Sequence, residues 1–386
     1  MTILSPTAPS GEAQTTGGGA PDVVLMVATL ALMALGVLMV YSASRDAQLV
    51  LSGDETRLMT RQVYFVLAGL VMFGVLSIID YREFQHYSPL VYGATILLLV
   101  LVFFQPARSG ASRWIILPGG FQLQPSEFAK VAMILLIAAV LARSDSDRLS
   151  WRVLGQALGV LAVPALLIVA QPDLGTSLVF AFLTIVVLFA GDATARQLGV
   201  LLTFALAAVW TIFRFDLLQD YQKARLTSFL DPASDPTGTA YNQLNSVTTI
   251  GSGQLFGKGY LNGALTQRAF VPEQETDFIF TAVGEQLGFV GGALVLIAFA
   301  VIILRLLRIA SASRDRFGTL IAVGVAGLFV FHVFVNVGMT IGIMPVTGLP
   351  LPFMSHGGSS MLAMSAALGV AHSVWLRRSK VPGRRY

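Results

Sequence analysis

Long apolar runs separated by short polar segments dominate the chain. Ten of these runs have about the 17–25 residues that a helix needs to cross the hydrocarbon core of a bilayer. In chain order they are 23–42, 62–79, 87–104, 127–142, 153–170, 174–190, 197–213, 278–304, 317–340 and 358–376. Helix is the expected form, because lipid offers no hydrogen-bond partner to open backbone. The pattern therefore predicts an all-α integral membrane protein with ten transmembrane helices over residues 23–376.

Basic residues are distributed unequally between the two sets of loops, and this sets the predicted orientation. If the N-terminus is cytoplasmic, 14 Arg and Lys residues lie in inside segments and six lie in short outside segments. Both termini are therefore predicted to be cytoplasmic, residues 1–22 as a disordered tail and 377–386 as a basic tail. The same orientation makes 214–277 a large extracytoplasmic loop between the seventh and eighth helices. Apolar spacing over 221–230 predicts a surface helix within this loop, and Asp231–Pro232 and Asp235–Pro236 are predicted to break it. The glycines at 251, 253, 257 and 259 predict a tight stretch of backbone after it.

Composition narrows the class of protein further. Hydrophobic residues make up 55% of the chain and charged residues only 12%, which excludes a soluble enzyme. The chain has no Cys, so disulfide frameworks and thiolate metal sites are excluded. Lys258 lies between two glycines and is not followed by Ser or Thr, so no nucleotide-binding P-loop is predicted. The net charge of +4 lies mostly at the membrane edge, so nucleic acid is not a predicted partner.

Charged residues at the mouths of apolar runs are functional candidates, because burying a charge at mid-bilayer costs at least a few kcal/mol. Glu127 and Lys130 begin the fourth run three residues apart. They are predicted either to neutralise each other or to serve a site. Asp173 precedes the sixth run, where it is expected to cap the helix and is also able to bind a cation or a sugar hydroxyl.

Three carboxylates, those of Glu273, Glu275 and Asp277, precede the eighth run. Some of this acidity is the ordinary preference of helix N-termini for negative charge. Asp277 lies deepest and is followed at once by Phe278. A carboxylate at such an apolar boundary has a raised pKa and acts as a general base, or it holds a divalent cation. Asp277 is therefore the leading candidate for catalysis.

Two further segments contribute candidates on the same predicted face. Residues 345–360 contain three Pro and three Gly and cannot continue a helix. Broken backbone of this kind is tolerated at membrane depth where it lines a cavity, so we expect Ser355, His356 and Ser359 in a cavity wall. Trp114 follows Arg113 in an outside loop, where an interfacial position is the default and stacking on a sugar is the alternative.

These motifs, at 113–115, 124–130, 171–176, 272–280 and 350–360, resemble those of the SEDS family (shape, elongation, division and sporulation). They occur in that family's order and spacing, and the resemblance covers essentially the whole chain after the N-terminal tail. Within the family, the sequence is more similar to the rod-elongation branch than to the division branch. It departs from the usual pattern at His356, Gln254 and Gln286.

The resemblance implies a peptidoglycan glycosyltransferase that polymerises lipid II outside the inner membrane. It implies an inverting reaction that forms β-1,4 bonds, releases undecaprenyl pyrophosphate, and proceeds with a class B penicillin-binding protein and the elongation machinery. Asp277 matches the family's essential aspartate. The family's other functional polar positions fall on Trp114, Glu127, Lys130 and Asp173. The candidates for stabilising the pyrophosphate are Mg²⁺ or Mn²⁺ and the side chains of Lys130, Lys258, Arg113 and Arg225. Glu273 is a candidate for binding the substrate, and Asp277 is the candidate for holding the metal ion.

Two other classes of function remain open on the residues alone. Broken helices and charges at membrane depth are also typical of transporters, so a lipid II flippase is an alternative. The other class is a scaffold that only docks partners through 214–277 and carries no chemistry of its own. The resemblance favours an enzyme over both classes. Within the enzyme family itself, a division polymerase is the alternative to the rod-elongation member.

Overall fold

The structure is a computed structural model that describes residues 19–105, 113–116, 121–144, 148–216, 220–231 and 239–378. Helices make up most of this part of the chain. The helices are α1 (Val23–Ser52), α2 (Arg57–Ile78), α3 (Tyr81–Leu101), α4 (Pro125–Ala142), α5 (Trp151–Ala170), α6 (Leu174–Ala190), α7 (Ala195–Arg214), α8 (Asp220–Leu230), α9 (Thr239–Ser252), α10 (Ala264–Gln267), α11 (Ile279–Ala312), α12 (Arg316–Thr340) and α13 (Gly358–Leu376). A 3₁₀ turn, Val102–Phe104, extends α3, and strands β1 (Ile115–Ile116) and β2 (Gln122–Leu123) pair antiparallel before α4.

The predicted fold class, an all-α integral membrane protein, is confirmed. Among the described residues, nine helices are long and apolar enough to cross a membrane. The sixth predicted span, α6, is apolar but has 17 residues, so the count of ten stays a prediction. Helix α1 extends beyond the predicted first span, through Arg45 and Asp46 to Ser52. Arg45 pairs there with Glu55 at 3.2 Å, which lets the helix carry charge.

Three helices form the centre of the bundle. In α4, α12 and α13, 72–83% of the apolar stretch is buried within the protein, against 6% in α7. The outer helices expose large apolar side chains such as Leu67, Leu166 and Phe204, as helices facing lipid do. Polar groups carried by α4, α12 and α13 are therefore well placed to be removed from lipid.

The segment between α7 and α11 is structured where it is described. The predicted surface helix over 221–230 is confirmed as a helix, α8. Helix α9 was not predicted, because Gly251 suggested a tight turn and lies instead inside this helix. The predicted helix break at Pro232 and Pro236 lies outside the described residues.

A loop after α9 fits into a kink in α11. Gly288 has non-helical backbone angles (φ 67°, ψ −166°) inside α11. The backbone N–H groups of Lys258 and Gly259 donate to the carbonyls of Glu285 and Gln286 at 3.0 Å. In return, Phe289 and Val290 donate to the carbonyls of Gln254 and Leu255 at 2.8 and 3.0 Å. The kink therefore leaves few backbone groups unpaired, and the loop is fixed to α11.

The first and last described segments meet at one end of the bundle. The Gly19 N–H donates to the Leu376 carbonyl at 2.7 Å, and Asp22 pairs with Arg305 at 2.7 Å. Three guanidinium groups, those of Arg305, Arg308 and Arg378, lie 3.7–5.8 Å from the centre of the Trp375 ring. The first and last described residues therefore lie at the same end of the bundle, and the predicted orientation stays a prediction. Residues 1–18 and 379–386 of the predicted tails lie outside the described residues.

We predict that Gly36→Ala destabilises the protein by about 1–3 kcal/mol, because overpacking of a close contact costs this much. A methyl group at Gly36 on α1 would lie 2.8 Å from the Met354 Cα atom, and backbone does not yield as a flexible side chain would. The measurement is thermal unfolding in detergent. Gly74→Ala is the matched control, because a methyl group at Gly74 on α2 would meet nothing within 4 Å. Equal unfolding temperatures for the two variants would contradict this contact.

Candidate active site

A non-helical segment, residues 341–357, joins α12 to α13 at the end of the bundle opposite Trp375. This confirms the predicted break in the helix. Its carbonyls are held by side chains of the surrounding helices. Asn336 Nδ2 donates to the Leu349 carbonyl at 2.7 Å, and a ring nitrogen of His332 contacts the Pro350 carbonyl at 3.1 Å. We call residues 347–351 of this segment the central strap.

Asp277 lies against the central strap, just before α11. Its backbone carbonyl accepts a hydrogen bond from Asn336 Nδ2 at 2.8 Å, so one side chain of α12 holds both Asp277 and the strap. A methyl group at Gly348 would lie 3.3 Å from Asp277 Oδ2. Gly348 also has φ +75°, a conformation that favours glycine. Glycine at position 348 therefore lets the strap pass close to the carboxylate.

Burial and neighbouring charges both change the pKa of the Asp277 carboxyl group. Burial raises the pKa of Asp277 to about 7, and the negative charges of Glu273, Asp173 and Glu275 act in the same direction. The positive charge of Arg225 opposes this rise. The carboxylate is therefore able to accept a proton near neutral pH and to release it again, as a general base requires.

Arg113 and Asp173 form one edge of this site. Asp173 caps α6, as predicted, by accepting hydrogen bonds from the Thr176 N–H at 3.2 Å and hydroxyl at 2.9 Å. Arg113 lies 3.9 Å from Asp173 and donates to the carbonyls of Gln171 and Pro172. Arg225 Nη1 donates to the Thr347 carbonyl of the strap at 3.4 Å. Both arginines thus bring positive charge to the edge of an acidic site.

Glu127 and Lys130 form a buried ion pair within α4, as predicted. Lys130 Nζ lies 2.7 Å from Glu127 Oε1, and these side chains are 0% and 2% exposed. Lys130 Nζ also lies 3.0 Å from His332 Nε2 on α12. The Lys130 side chain is therefore shielded from solvent in this structure and contacts Glu127 and His332.

The other predicted residues surround this core or lie apart from it. His356 donates its backbone N–H to the Glu275 carbonyl at 2.7 Å, which ties the end of the segment to the acidic residues. Ser355 accepts from the Leu351 N–H at 2.8 Å, and Ser359 accepts from the Gln124 N–H at 2.9 Å. These three residues therefore shape the wall through backbone contacts.

Two predicted candidates differ from this pattern. Lys258 pairs with the buried Glu285 at 3.0 Å, beside the kink of α11, so the structure does not bring it to Asp277. Glu285 also accepts from the N–H groups of Leu265 and Thr266. Trp114 is half-buried directly after Arg113 and before β1. Glu273 is exposed and lies close enough to Asp277 to act on its pKa.

Three polar residues of the site were missed in the sequence. His332 and Asn336 lie one turn apart in α12, and both are fully buried. Gln62 on α2 donates to the Ser355 carbonyl at 3.2 Å and contacts His356 Nδ1 at 3.1 Å. Polar side chains inside apolar runs are themselves a functional signal. That signal, applied to uncharged residues as well as charged ones, would have found His332 and Asn336.

The acidic residues around Asp277 do not form a protein-only metal site. Within the described ranges, no three His, Asp or Glu side chains are grouped so that they could hold a metal ion. Mg²⁺ is usually bound through one or two carboxylates together with substrate phosphates. The predicted Mg²⁺ or Mn²⁺ therefore stays a prediction, and no chemical step below passes through it.

The fold and site define a multi-pass membrane protein with a cluster of acidic residues at one end of its helical bundle. The model of the FtsW, RodA and SpoVE family, described as cell cycle protein, matches residues 23–380. The chain belongs to this family, so the resemblance to SEDS proteins is confirmed. Among curated relatives, the peptidoglycan glycosyltransferase MrdB of Escherichia coli strain K12 is 38% identical over 92% of this chain and 94% of its own length. The peptidoglycan glycosyltransferase RodA of Treponema pallidum is 33% identical over 92% and 98%.

Two solved structures support the same assignment. One is a chain from a study of the structural coordination of polymerization and crosslinking by a peptidoglycan synthase complex. It is 31% identical, with a TM-score of 0.78 over 94% of this chain and 99% of that chain. The other is the crystal structure of the rod shape determining protein RodA of Thermus thermophilus. It is 29% identical, with a TM-score of 0.67 over 94% of this chain and 98% of that chain.

We predict that Lys130→Met lowers stability by about 3–5 kcal/mol, because it leaves the buried Glu127 carboxylate without its charge partner. The double variant Glu127→Gln with Lys130→Met should recover part of this loss, because it removes both charges. Thermal unfolding in detergent measures both effects. The prediction fails if the double variant is as unstable as the sum of the two single variants.

Proposed function

We propose that this protein is a peptidoglycan glycosyltransferase that polymerises lipid II into glycan strands. The supporting observation is the position of Asp277, a half-buried carboxylate that lies beside Gly348 among acidic groups and two arginines. The relatives named MrdB and RodA are peptidoglycan glycosyltransferases. The membrane setting suits a substrate with a polyprenyl tail, because helix grooves can hold the tail while the sugars reach Asp277.

The reaction joins the 4-hydroxyl of an acceptor GlcNAc to the anomeric carbon of a donor MurNAc. A carbon–oxygen bond forms at the anomeric carbon as the bond to the pyrophosphate breaks, and inversion gives a β-1,4 linkage. Asp277 takes the proton of the attacking hydroxyl, a role that typically accelerates a reaction about 10²–10⁴-fold. A carboxylate with a pKa of about 7 is well matched to this role.

The departing undecaprenyl pyrophosphate requires positive charge nearby, since stabilising the developing charge is often the largest catalytic effect. Arg113 and Arg225 are the side chains best placed for this, because one lies beside Asp173 and the other acts on Asp277. Lys130 is buried, so in this proposal it supports the site through its contacts with Glu127 and His332. Trp114 follows Arg113 and is suited to stack on a sugar ring.

Asp277 and the central strap face the extracytoplasmic side in this proposal, and both termini are cytoplasmic. Arginines gather at the opposite end of the bundle, around Trp375, and cytoplasmic segments carry such an excess. A class B penicillin-binding protein that crosslinks the product is the proposed partner, within the elongation machinery. Support for a partner comes from the similar chain in a peptidoglycan synthase complex, and support for elongation from the rod shape determining relative.

The test of this function is polymerisation of purified lipid II by the protein in detergent, alone and with its transpeptidase. Asp277→Asn should reduce glycan synthesis by at least about 10²-fold, because it removes the base and preserves the shape. Asp46→Asn, at an exposed carboxylate on α1, is the matched control and should retain activity. Normal synthesis by a folded Asp277→Asn variant would remove Asp277 from the mechanism. Translocation of lipid II in liposomes without any polymer would instead support the flippase.

The pH dependence of polymerisation provides a second prediction. Because Asp277 must be ionised to accept a proton, kcat/KM should rise with pH through about 7 and then level. Glu273→Gln removes a negative charge that raises the pKa of Asp277, so it should move this rising limb to lower pH. Glu83→Gln, at an exposed position on α3, is the control. An unchanged limb in Glu273→Gln would show that Glu273 does not act on the base.

A further inference from the structure

His332 is a buried histidine that links three parts of the active-site end and has no part in the mechanism above. It lies on α12 and is 0% exposed. One ring nitrogen, Nε2, lies 3.0 Å from Lys130 Nζ on α4. The other, Nδ1, lies 3.1 Å from the Pro350 carbonyl of the central strap. Each of its two polar atoms thus contacts a different structural element.

The partners of His332 fix its protonation state. The Pro350 carbonyl can only accept a hydrogen bond, so Nδ1 must carry the proton. The Lys130 ammonium can only donate, so Nε2 must be the bare acceptor. A doubly protonated ring would place an N–H against an ammonium. His332 is therefore a neutral imidazole with one donor and one acceptor, each used once.

This arrangement also orients the Lys130 ammonium. Of its three N–H donors, one points to Glu127 Oε1 at 2.7 Å and one to His332 Nε2 at 3.0 Å. Two fixed partners on different helices determine the direction of the third. Without His332, the ammonium would be held by Glu127 alone, three residues away on its own helix.

His332 lies on the same face of α12 as Asn336, whose side chain binds the Asp277 carbonyl. Asn336 lies one turn further along α12 and donates to the carbonyls of Leu349 and Asp277 at 2.7 and 2.8 Å. His332 and Asn336 therefore hold consecutive carbonyls of the central strap, those of Pro350 and Leu349. A shift of the strap at one position would be transmitted to the other through a single helix face.

We propose that His332 is a positioning residue for glycan polymerisation, which sets the Lys130 ammonium and the central strap relative to Asp277. It does not touch the substrate and acts through Lys130 and Pro350. The inference rests on the proposed function, since the reaction it tunes is lipid II polymerisation. It predicts that hydrogen-bonding capacity at position 332 matters more than shape.

The test compares three variants of the full-length protein in detergent. His332→Gln keeps one donor and one acceptor, whereas His332→Met has nearly the same length and no strong hydrogen-bonding group. His332→Phe keeps a ring of similar shape without either nitrogen. We expect kcat to stay within about threefold of the wild type for Gln and to fall at least about tenfold for Met and Phe, with KM for lipid II nearly unchanged. His86→Phe, at an exposed histidine on α3, is the matched control.

The order of the variants separates positioning from packing. If His332 serves only to fill space, Phe should be the most active of the three variants, and this order would overturn the proposal. Equal activity of Gln and Met would overturn it as well. Thermal unfolding of each variant identifies any that fails to fold. The Gln and Met pair then still decides the outcome if Phe is lost, and the Gln and Phe pair decides it if Met is lost.

Failure of this inference is distinguishable from failure of the proposed function. Wild-type protein and Asp277→Asn are run in the same assay. If the wild type makes no polymer, the proposed function fails, and with it a role for His332 in that reaction. If the wild type polymerises, Asp277→Asn is inactive and all three His332 variants match the wild type, only the inference about His332 is wrong.

Discussion

A stretch of non-helical backbone, residues 341–357, lies between two helices that are long and apolar enough to cross a membrane. The rest of the structure depends on how the polar groups of this backbone are satisfied. Lipid offers such a backbone no hydrogen-bond partners, so the protein must supply them from its own side chains. Asn336, His332 and Gln62 hold the carbonyls of Leu349, Pro350 and Ser355. All three donors come from apolar helices. The same bonds that make the segment tolerable also place it against Asp277, so stability and site geometry share one set of contacts.

The site is consequently built in two connected layers. The outer layer contains Asp277, with Asp173 and Arg225 close enough to act on its charge. The inner layer contains Lys130 with Glu127, removed from solvent. The central strap contacts Asp277 and Arg225 of the outer layer, and His332 connects its Pro350 carbonyl to Lys130 of the inner layer. The proposed role of His332 rests on this connection.

Much of this arrangement follows from the sequence. The length and apolarity of the runs define the helices, and the prolines at 345, 350 and 352 define the break between α12 and α13. Asp173 was predicted as a helix cap and Glu127 with Lys130 as an ion pair, because each interaction is local in the chain. Local spacing is sufficient for contacts of this kind.

Contacts between distant segments could not be predicted in the same way. Lys258 was a candidate for the pyrophosphate, but it pairs with Glu285, 27 residues away, and nothing in its own neighbourhood indicates this. The contact between Lys130 and His332 spans 202 residues and depends on how α4 and α12 pack. Helix α9 was missed because glycines at its end suggested a turn. In each case the contact or element depends on tertiary packing, which the local sequence pattern does not determine.

Reciprocal backbone hydrogen bonds join the loop after α9, residues 254–259, to the kink of α11. These bonds limit how the loop can move. Four backbone N–H groups donate hydrogen bonds from one segment to the other, those of Lys258, Gly259, Phe289 and Val290. Detaching the loop would strip partners from both sides at once, so the loop and the kink must open or stay closed as one cooperative unit. Residues 254–259 can therefore move only together with the kinked part of α11.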